Sequence, residues 1–187
     1  MARLWYPTRQ DVETLAYRLA AELFDEYDSS LPAFVLSGGE REGGALLDSA
    51  LALPRQTFGG RPLYRTVCDK AGVLLRSLIK NHPLLDGNKR LALATVALFL
   101  LMNGYLLLAP TKEMVEFALE VARSEPDMDW RDISRWIRAH TIPVRDAHAG
   151  LLQVREAFAD DAEVLGRVME RWADIARFVA EGRTLSR

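Results

Sequence analysis

His82-Pro83-Leu84-Leu85-Asp86-Gly87-Asn88-Lys89-Arg90 is the stretch of this 187-residue chain whose residue types and spacing best suit phosphate chemistry. An imidazole such as that of His82 serves as a general base near neutral pH. Asp86 offers a hard oxygen ligand for Mg²⁺. Gly87 and the amides that follow it form an anion-binding nest, and Arg90 neutralises phosphate charge. The apolar run Leu91 to Met102 begins at once, so Lys89 and Arg90 fall in the first turn of a helix. A helix N-terminus already carries unpaired N–H groups and partial positive charge. Two cations placed there suit an anion, most often a phosphate. Phosphoryl-type transfer needs little covalent chemistry and much positioning, which these parts supply. Each residue also has a plainer role. His82 could be structural, Asp86 a helix cap, Gly87-Asn88 a turn and the cations solvated. Spacing alone leaves both readings open.

The elements that position this stretch are helical. Thr8 with Asp11 forms a capping box, and Val12, Leu15, Leu19 and Leu23 recur at helical spacing to about Tyr27. Asp28 to Pro32 ends that helix, and a Gly-rich loop follows through Gly43-Gly44. A short helix covers Ala45 to Leu53, before Pro54. Arg55 to Arg65 has extended-type residues around Gly59-Gly60, consistent with a short hairpin-like flap or a plain loop. Helical spacing resumes from Val67 to Lys80, and the helix after the central loop stops at Asn103-Gly104. Two more helices span Thr111 to Arg123 and Asp129 to His140. Past Pro143 the chain changes character: Asp160 and Glu163 resemble a capping box, and Leu165, Val168, Trp172, Ile175 and Val179 form one stripe that needs a partner. No strand pattern of useful length appears, so the expected class is all-α.

Composition narrows the possibilities. Hydrophobic residues make up 49% and charged residues 27%, as in globular proteins. A net charge of −2 gives no broad electrostatic footprint for nucleic acid. The single cysteine, Cys68, excludes an internal disulfide framework and reads as a packing residue. The N-terminus lacks the apolar stretch of a signal peptide. The Leu91–Met102 run falls short of the about 20 residues a membrane span needs. The expectation is a cytoplasmic protein with no membrane contact.

The central stretch resembles the signature of the Fic/Doc superfamily, whose Fic branch reads HPFx(D/E)GNGRxxR and whose Doc (death on curing) branch reads HxFxDxNKR. The likeness extends from roughly Tyr6 to His140, through Gly43 to Pro54, Arg55 to Gly60, Ala71 to Asn81 and Phe99 to Tyr105. It implies an all-α Fic fold over residues 1–142, with the signature loop between two core helices and a flap beside it. Residues 143–187 become a C-terminal helical extension.

The resemblance also implies a function. Fic proteins transfer AMP from ATP to a protein hydroxyl. Doc-type toxins phosphorylate elongation factor Tu, stop translation and are neutralised by a Phd-type antitoxin. On this reading His82 is the catalytic base and Asp86 the Mg²⁺ ligand. Gly87, Asn88, Lys89 and Arg90 hold the phosphates of ATP. Gln56, Thr57, Phe58 and Tyr64 lie in a flap that aligns the target by strand-like pairing.

Three departures from the Fic pattern, and one position that keeps it, bear on the chemistry. Lys89 stands in place of a Gly that leaves room for ATP phosphates, and Leu93 in place of the second Arg. Both are shared with Doc and favour phosphate over AMP. Leu84 replaces the usual Phe as apolar anchor. Gly87 is Fic-like, where some Doc toxins carry Ala. The nearest approach to the inhibitory pattern (S/T)xxxE(G/N) is Arg177 to Gly182, where Arg stands in place of Ser/Thr. Transfer of the γ-phosphate of ATP to a translation factor is therefore the expected activity. AMP transfer is the close alternative, and a catalytically silent Fic-fold interaction module is the alternative of another class. The C-terminal helix is expected to pack on the core or mediate a homodimer.

Overall fold

In the computed structural model, residues 4–23 and 34–144 are described. Two antiparallel helices form the centre, α3 (Val67–Asn81) and α4 (Asn88–Met102), joined by the loop that carries His82. Helix α3 starts at a capping box. The Thr66 hydroxyl accepts from the Asp69 N–H at 3.0 Å, and the Asp69 carboxylate accepts from the Thr66 N–H at 2.9 Å. Ala71, Leu74, Leu75, Leu78 and Ile79 of α3 are buried with Leu91, Ala92, Val96, Phe99 and Leu100 of α4. Burial of these side chains contributes about 1.5–3 kcal/mol for each large one.

The remaining helices cover this pair. Helix α6 (Trp130–Ala139) packs along α3 with Ile133 and Ile137 fully buried. Gly72 permits that approach: a Cβ there would lie 3.0 Å from the Ser134 nitrogen and the Trp130 carbonyl. Helix α5 (Thr111–Arg123) contributes Phe117, Ala118 and Val121 to the core. Helix α1 (Arg9–Leu23) begins at the expected Thr8–Asp11 box, with the Thr8 N–H donating to Asp11 at 2.8 Å, and inserts Val12 and Ala16. Helix α2 (Ala45–Ala52) contributes Leu47, Ala50 and Leu51. Cys68 is buried, and burial pushes its thiol pKa up, as suits a packing residue.

Two short hairpins complete the described fold. Strands β1 (Thr57–Phe58) and β2 (Arg61–Pro62) pair antiparallel around Gly59-Gly60, both at positive φ, which realises the expected flap. The other pairing is also short, as the expected all-α class allows. Strand β3 (Tyr105–Leu107) pairs with β4 (Thr141–Pro143), register Tyr105↔Pro143 to Leu107↔Thr141. Each strand has three residues, too few for a period-2 pattern, and the partners are far apart in sequence. This pairing reaches Pro143. The extension of α1 towards Tyr27, the Asp28 to Pro32 turn, the Leu165–Val179 stripe and the Arg177–Gly182 segment lie outside the described residues. Among the described residues no helix is long and apolar enough to cross a membrane.

Candidate active site at the junction of α3 and α4

The last turn of α3 is fixed before the loop begins. Lys80 Nζ donates to the carbonyls of Ala122 (3.2 Å) and Ser124 (3.0 Å) and pairs with Asp127 at 2.8 Å. The Lys80 hydrogen bond holds the Asp127 carboxyl below its usual pKa. Asn81 donates its amide to the Leu46 carbonyl at 3.1 Å, tying α3 to the start of α2. His82 then caps α3 in the left-handed region, φ 49° and ψ 55°, and is the one non-glycine residue at positive φ among the described residues. Such a conformation is uncommon for a side-chain-bearing residue and persists where its surroundings enforce it. The turn leaves the imidazole exposed.

The loop itself is held from both sides. Leu84 is buried at 4% exposure, so it anchors the loop as the apolar residue expected there. Its N–H donates to Asn88 Oδ1 at 2.9 Å, and its carbonyl accepts from Asn88 Nδ2 at 2.7 Å. On the outer side, residues 35–37 run antiparallel to the loop. Leu36 bridges Leu84, the Ser37 N–H donates to Pro83 at 2.9 Å, and the Leu85 N–H donates to Val35 at 3.0 Å. Gly43 lies directly beneath. A Cβ on it would come within 2.6 Å of the carbonyls of both Pro83 and Ser37. Gly43 belongs to a single π-helical turn, Glu40–Gly44, which Arg9 secures through Glu40, Asp48 and the Gly44 carbonyl.

The sequence-derived site residues divide into three groups. His82, Asp86, Gly87, Lys89 and Arg90 sit on the one loop and helix start. Gly87 is the N-cap of α4 with φ 78° and ψ 4°, and no side chain caps the helix. Asp86 is therefore not the cap. Its carboxylate is 94% exposed and lies 3.7 Å from Arg90, itself half exposed. The uncapped N–H groups at the start of α4, the Lys89 and Arg90 cations and the glycine turn make this helix start a candidate anion site.

Asn88 is different. It is buried at 6% exposure, and its side-chain amide is committed to Leu84, so it shapes the loop while only its backbone faces the helix entrance. Because Leu84 fixes the amide orientation, a second Asn88 N–H points at His82 Nδ1, 3.4 Å away. Assigned from these hydrogen bonds, the neutral ring carries its proton on Nε2. A base acting through Nε2 must give up that long contact.

The flap residues form the third group. The hairpin is rooted at the N-terminal end of α3. There buried Lys70 donates to the Pro54 carbonyl at 2.6 Å, and the Tyr64 ring meets Trp130 edge-on at 5.1 Å. The 15 residues of α3 separate that root from His82, about 22 Å by helical rise. Phe58 is 80% exposed.

Sequence reasoning noted the glycines at 43–44 and did not see that Gly43 packs under the loop. It gave Asn81 no role. The usable signals were a Gly pair before a short helix and an amide next to the imidazole. Among the described residues no group of three or more His, Cys, Asp or Glu side chains gathers as a metal site. Mg²⁺ usually takes one or two carboxylates, with waters and substrate phosphates completing its shell. A lone exposed Asp86 beside an anion site fits that donor set.

Comparison with known proteins agrees with this architecture. The Fic/DOC family matches residues 7–100. The chain is 40% identical over 113 residues to toxin Doc of Mycolicibacterium smegmatis (strain ATCC 700084 / mc(2)155), covering 58% of this chain and 86% of that protein. No solved structure matches. An all-α fold with the signature loop between two core helices, matched over half its length, places the chain in the Fic/Doc family.

Proposed function

We propose that this protein is a Doc-like toxin that transfers the γ-phosphate of ATP to a hydroxyl group of a protein target. The observation that carries the reading is the uncapped start of α4, with Gly87 at φ 78° and Lys89 and Arg90 in its first turn, opening next to His82. The identity to a protein named toxin Doc supports the same direction. The backbone N–H groups of residues 88–90 and the Arg90 guanidinium take the phosphate oxygens, as preorganised donors for charge that grows in the transition state. Asp86 would hold Mg²⁺, which supplies charge neutralisation at the phosphates. His82 accepts the proton of the target hydroxyl as that oxygen attacks the γ-phosphorus, the bond from the γ-phosphorus to the β–γ bridging oxygen breaks, and ADP leaves. Lys89, where a glycine would leave the loop open, favours phosphate over AMP. The target is a translation factor such as elongation factor Tu, and a Phd-type antitoxin is the neutralising partner.

The test is mass spectrometry of elongation factor Tu, and of a bacterial lysate, after incubation with the protein, ATP and Mg²⁺. The reading expects a single added phosphate on a hydroxyl, absent with His82→Ala. An added AMP identifies the adenylyl-transferring alternative. No modification, together with equal growth of cells expressing wild type or His82→Ala, identifies a silent module.

A further inference from the structure

His82 holds a backbone conformation that its own helix end does not support. Its φ of 49° and ψ of 55° lie in the left-handed region, which is unfavourable for a residue with a Cβ. Helices often end through such a residue, and the N–H groups at it and after it then bond back to the last carbonyls. Here the next residue is Pro83, which has no N–H to return. Proline also pushes the residue before it towards extended backbone, away from the conformation His82 adopts. Tertiary contacts therefore impose the turn.

Those contacts bracket the residue. After it, the Pro83 carbonyl accepts from the Ser37 N–H at 2.9 Å. Before it, Asn81 donates its amide to the Leu46 carbonyl at 3.1 Å, joining the last residue of α3 to the first turn of α2. Asn81 is half-buried and shares a peptide group with His82. That group is planar, so holding Asn81 fixes the plane from which the His82 φ departs. Lys80, one residue earlier, is tethered to the carbonyls of Ala122 and Ser124, which fixes the helix and not this peptide. The resulting turn leaves the imidazole exposed, with Nδ1 3.4 Å from Asn88 Nδ2.

We infer that Asn81 is a positioning residue: its hydrogen bond to Leu46 holds His82 left-handed and so keeps the imidazole beside the start of α4. This rests on the reading of His82 as the general base, and it adds the residue that aims that base.

The test begins with a thermodynamic cycle on the full chain that needs no activity, read from urea unfolding. Glycine adopts positive φ without strain, so His82→Gly should raise the folding equilibrium constant about fivefold. In an Asn81→Ala background residue 82 can leave the left-handed region, and that gain should vanish. Asn81→Asp keeps the size of the side chain but has no donor when ionised, so it should act as Asn81→Ala does. Lys80→Ala should lower stability and leave the gain intact. A second arm measures γ-phosphate transfer from ATP to elongation factor Tu. There Asn81→Ala should lower kcat about tenfold or more at unchanged KM for ATP, because the start of α4 is untouched. A wild-type chain that transfers nothing overturns the proposed chemistry, and the cycle still decides on Asn81. The inference is overturned by a His82→Gly variant no more stable than wild type, or by a gain that survives Asn81→Ala or Asn81→Asp. A gain that Lys80→Ala also removes overturns it too, as does an unchanged kcat for Asn81→Ala where the wild type transfers phosphate.

Discussion

Asn88 grips Leu84 by both of its backbone polar groups, accepting from the N–H at 2.9 Å and donating to the carbonyl at 2.7 Å. That closes the loop between His82 and the start of α4 into a fixed ring of contacts. Both partners are buried, so water cannot replace the bonds if the amide is lost.

Asn88→Ala leaves a buried donor and a buried acceptor unpaired, which costs about 1–3 kcal/mol for each group that stays unsatisfied. Chemical denaturation should show that loss, and transfer activity should fall much further than stability because the loop no longer aims His82. Asn88→Asp keeps the bond to the Leu84 N–H but sets a second carboxylate oxygen against the Leu84 carbonyl in a buried site, so it should not restore the lost stability.

Gly43→Ala should be destabilising by about 1–3 kcal/mol, since a Cβ meets backbone carbonyls of Pro83 and Ser37 at 2.6 Å. Gly44→Ala should cost less. Its Cβ meets the ends of the Glu40 and Arg9 side chains, at 2.8 and 3.0 Å, and these can move. Urea midpoints of the two variants check the order, and a reversed order contradicts the packing described here.

Lys89→Gly should shift the reaction. With the side chain removed, the first turn of α4 resembles the Fic pattern, and α-phosphorus label should appear in the target at the expense of γ label. The helix loses up to about 1 kcal/mol from the glycine, which a melting curve reads separately.

Asp69 gives a pH dependence with a definite sign. Partial burial acts to raise its pKa, but the Thr66 N–H, the Ser134 hydroxyl, the Thr66 hydroxyl and the Arg138 charge together hold it below the usual carboxylate range. Its contribution is therefore fully present above about pH 4 and lost as pH falls through the lowered folded value. Wild type should melt higher than Asp69→Asn at neutral pH, with the gap closing in acid. A gap that stays constant down to low pH contradicts this.

Much of this was legible in the chain. Leu74, Leu75, Leu78 and Ile79 recur at helical spacing and are buried together, and Gly59-Gly60 announced the hairpin turn. The chemistry-bearing loop was legible because its residue types and order are unusual for a helix entry. What the chain did not disclose depends on tertiary contact. The β3–β4 pair joins two three-residue segments across α5 and α6, and Gly43 matters only because Pro83 lies above it. The side-chain role of Asn88 could not be read either. An amide beside a glycine turn looks equally suited to bind phosphate, and only its burial against Leu84 assigns it to the loop.

The most direct measurement is label transfer from ATP carrying radioactive phosphorus at either the α or the γ position, with Mg²⁺, to elongation factor Tu and to lysate proteins. The account predicts incorporation from γ-labelled ATP alone, lost with His82→Ala and with Asp86→Ala. Incorporation from α-labelled ATP by the wild-type chain, or γ incorporation that survives His82→Ala, contradicts it.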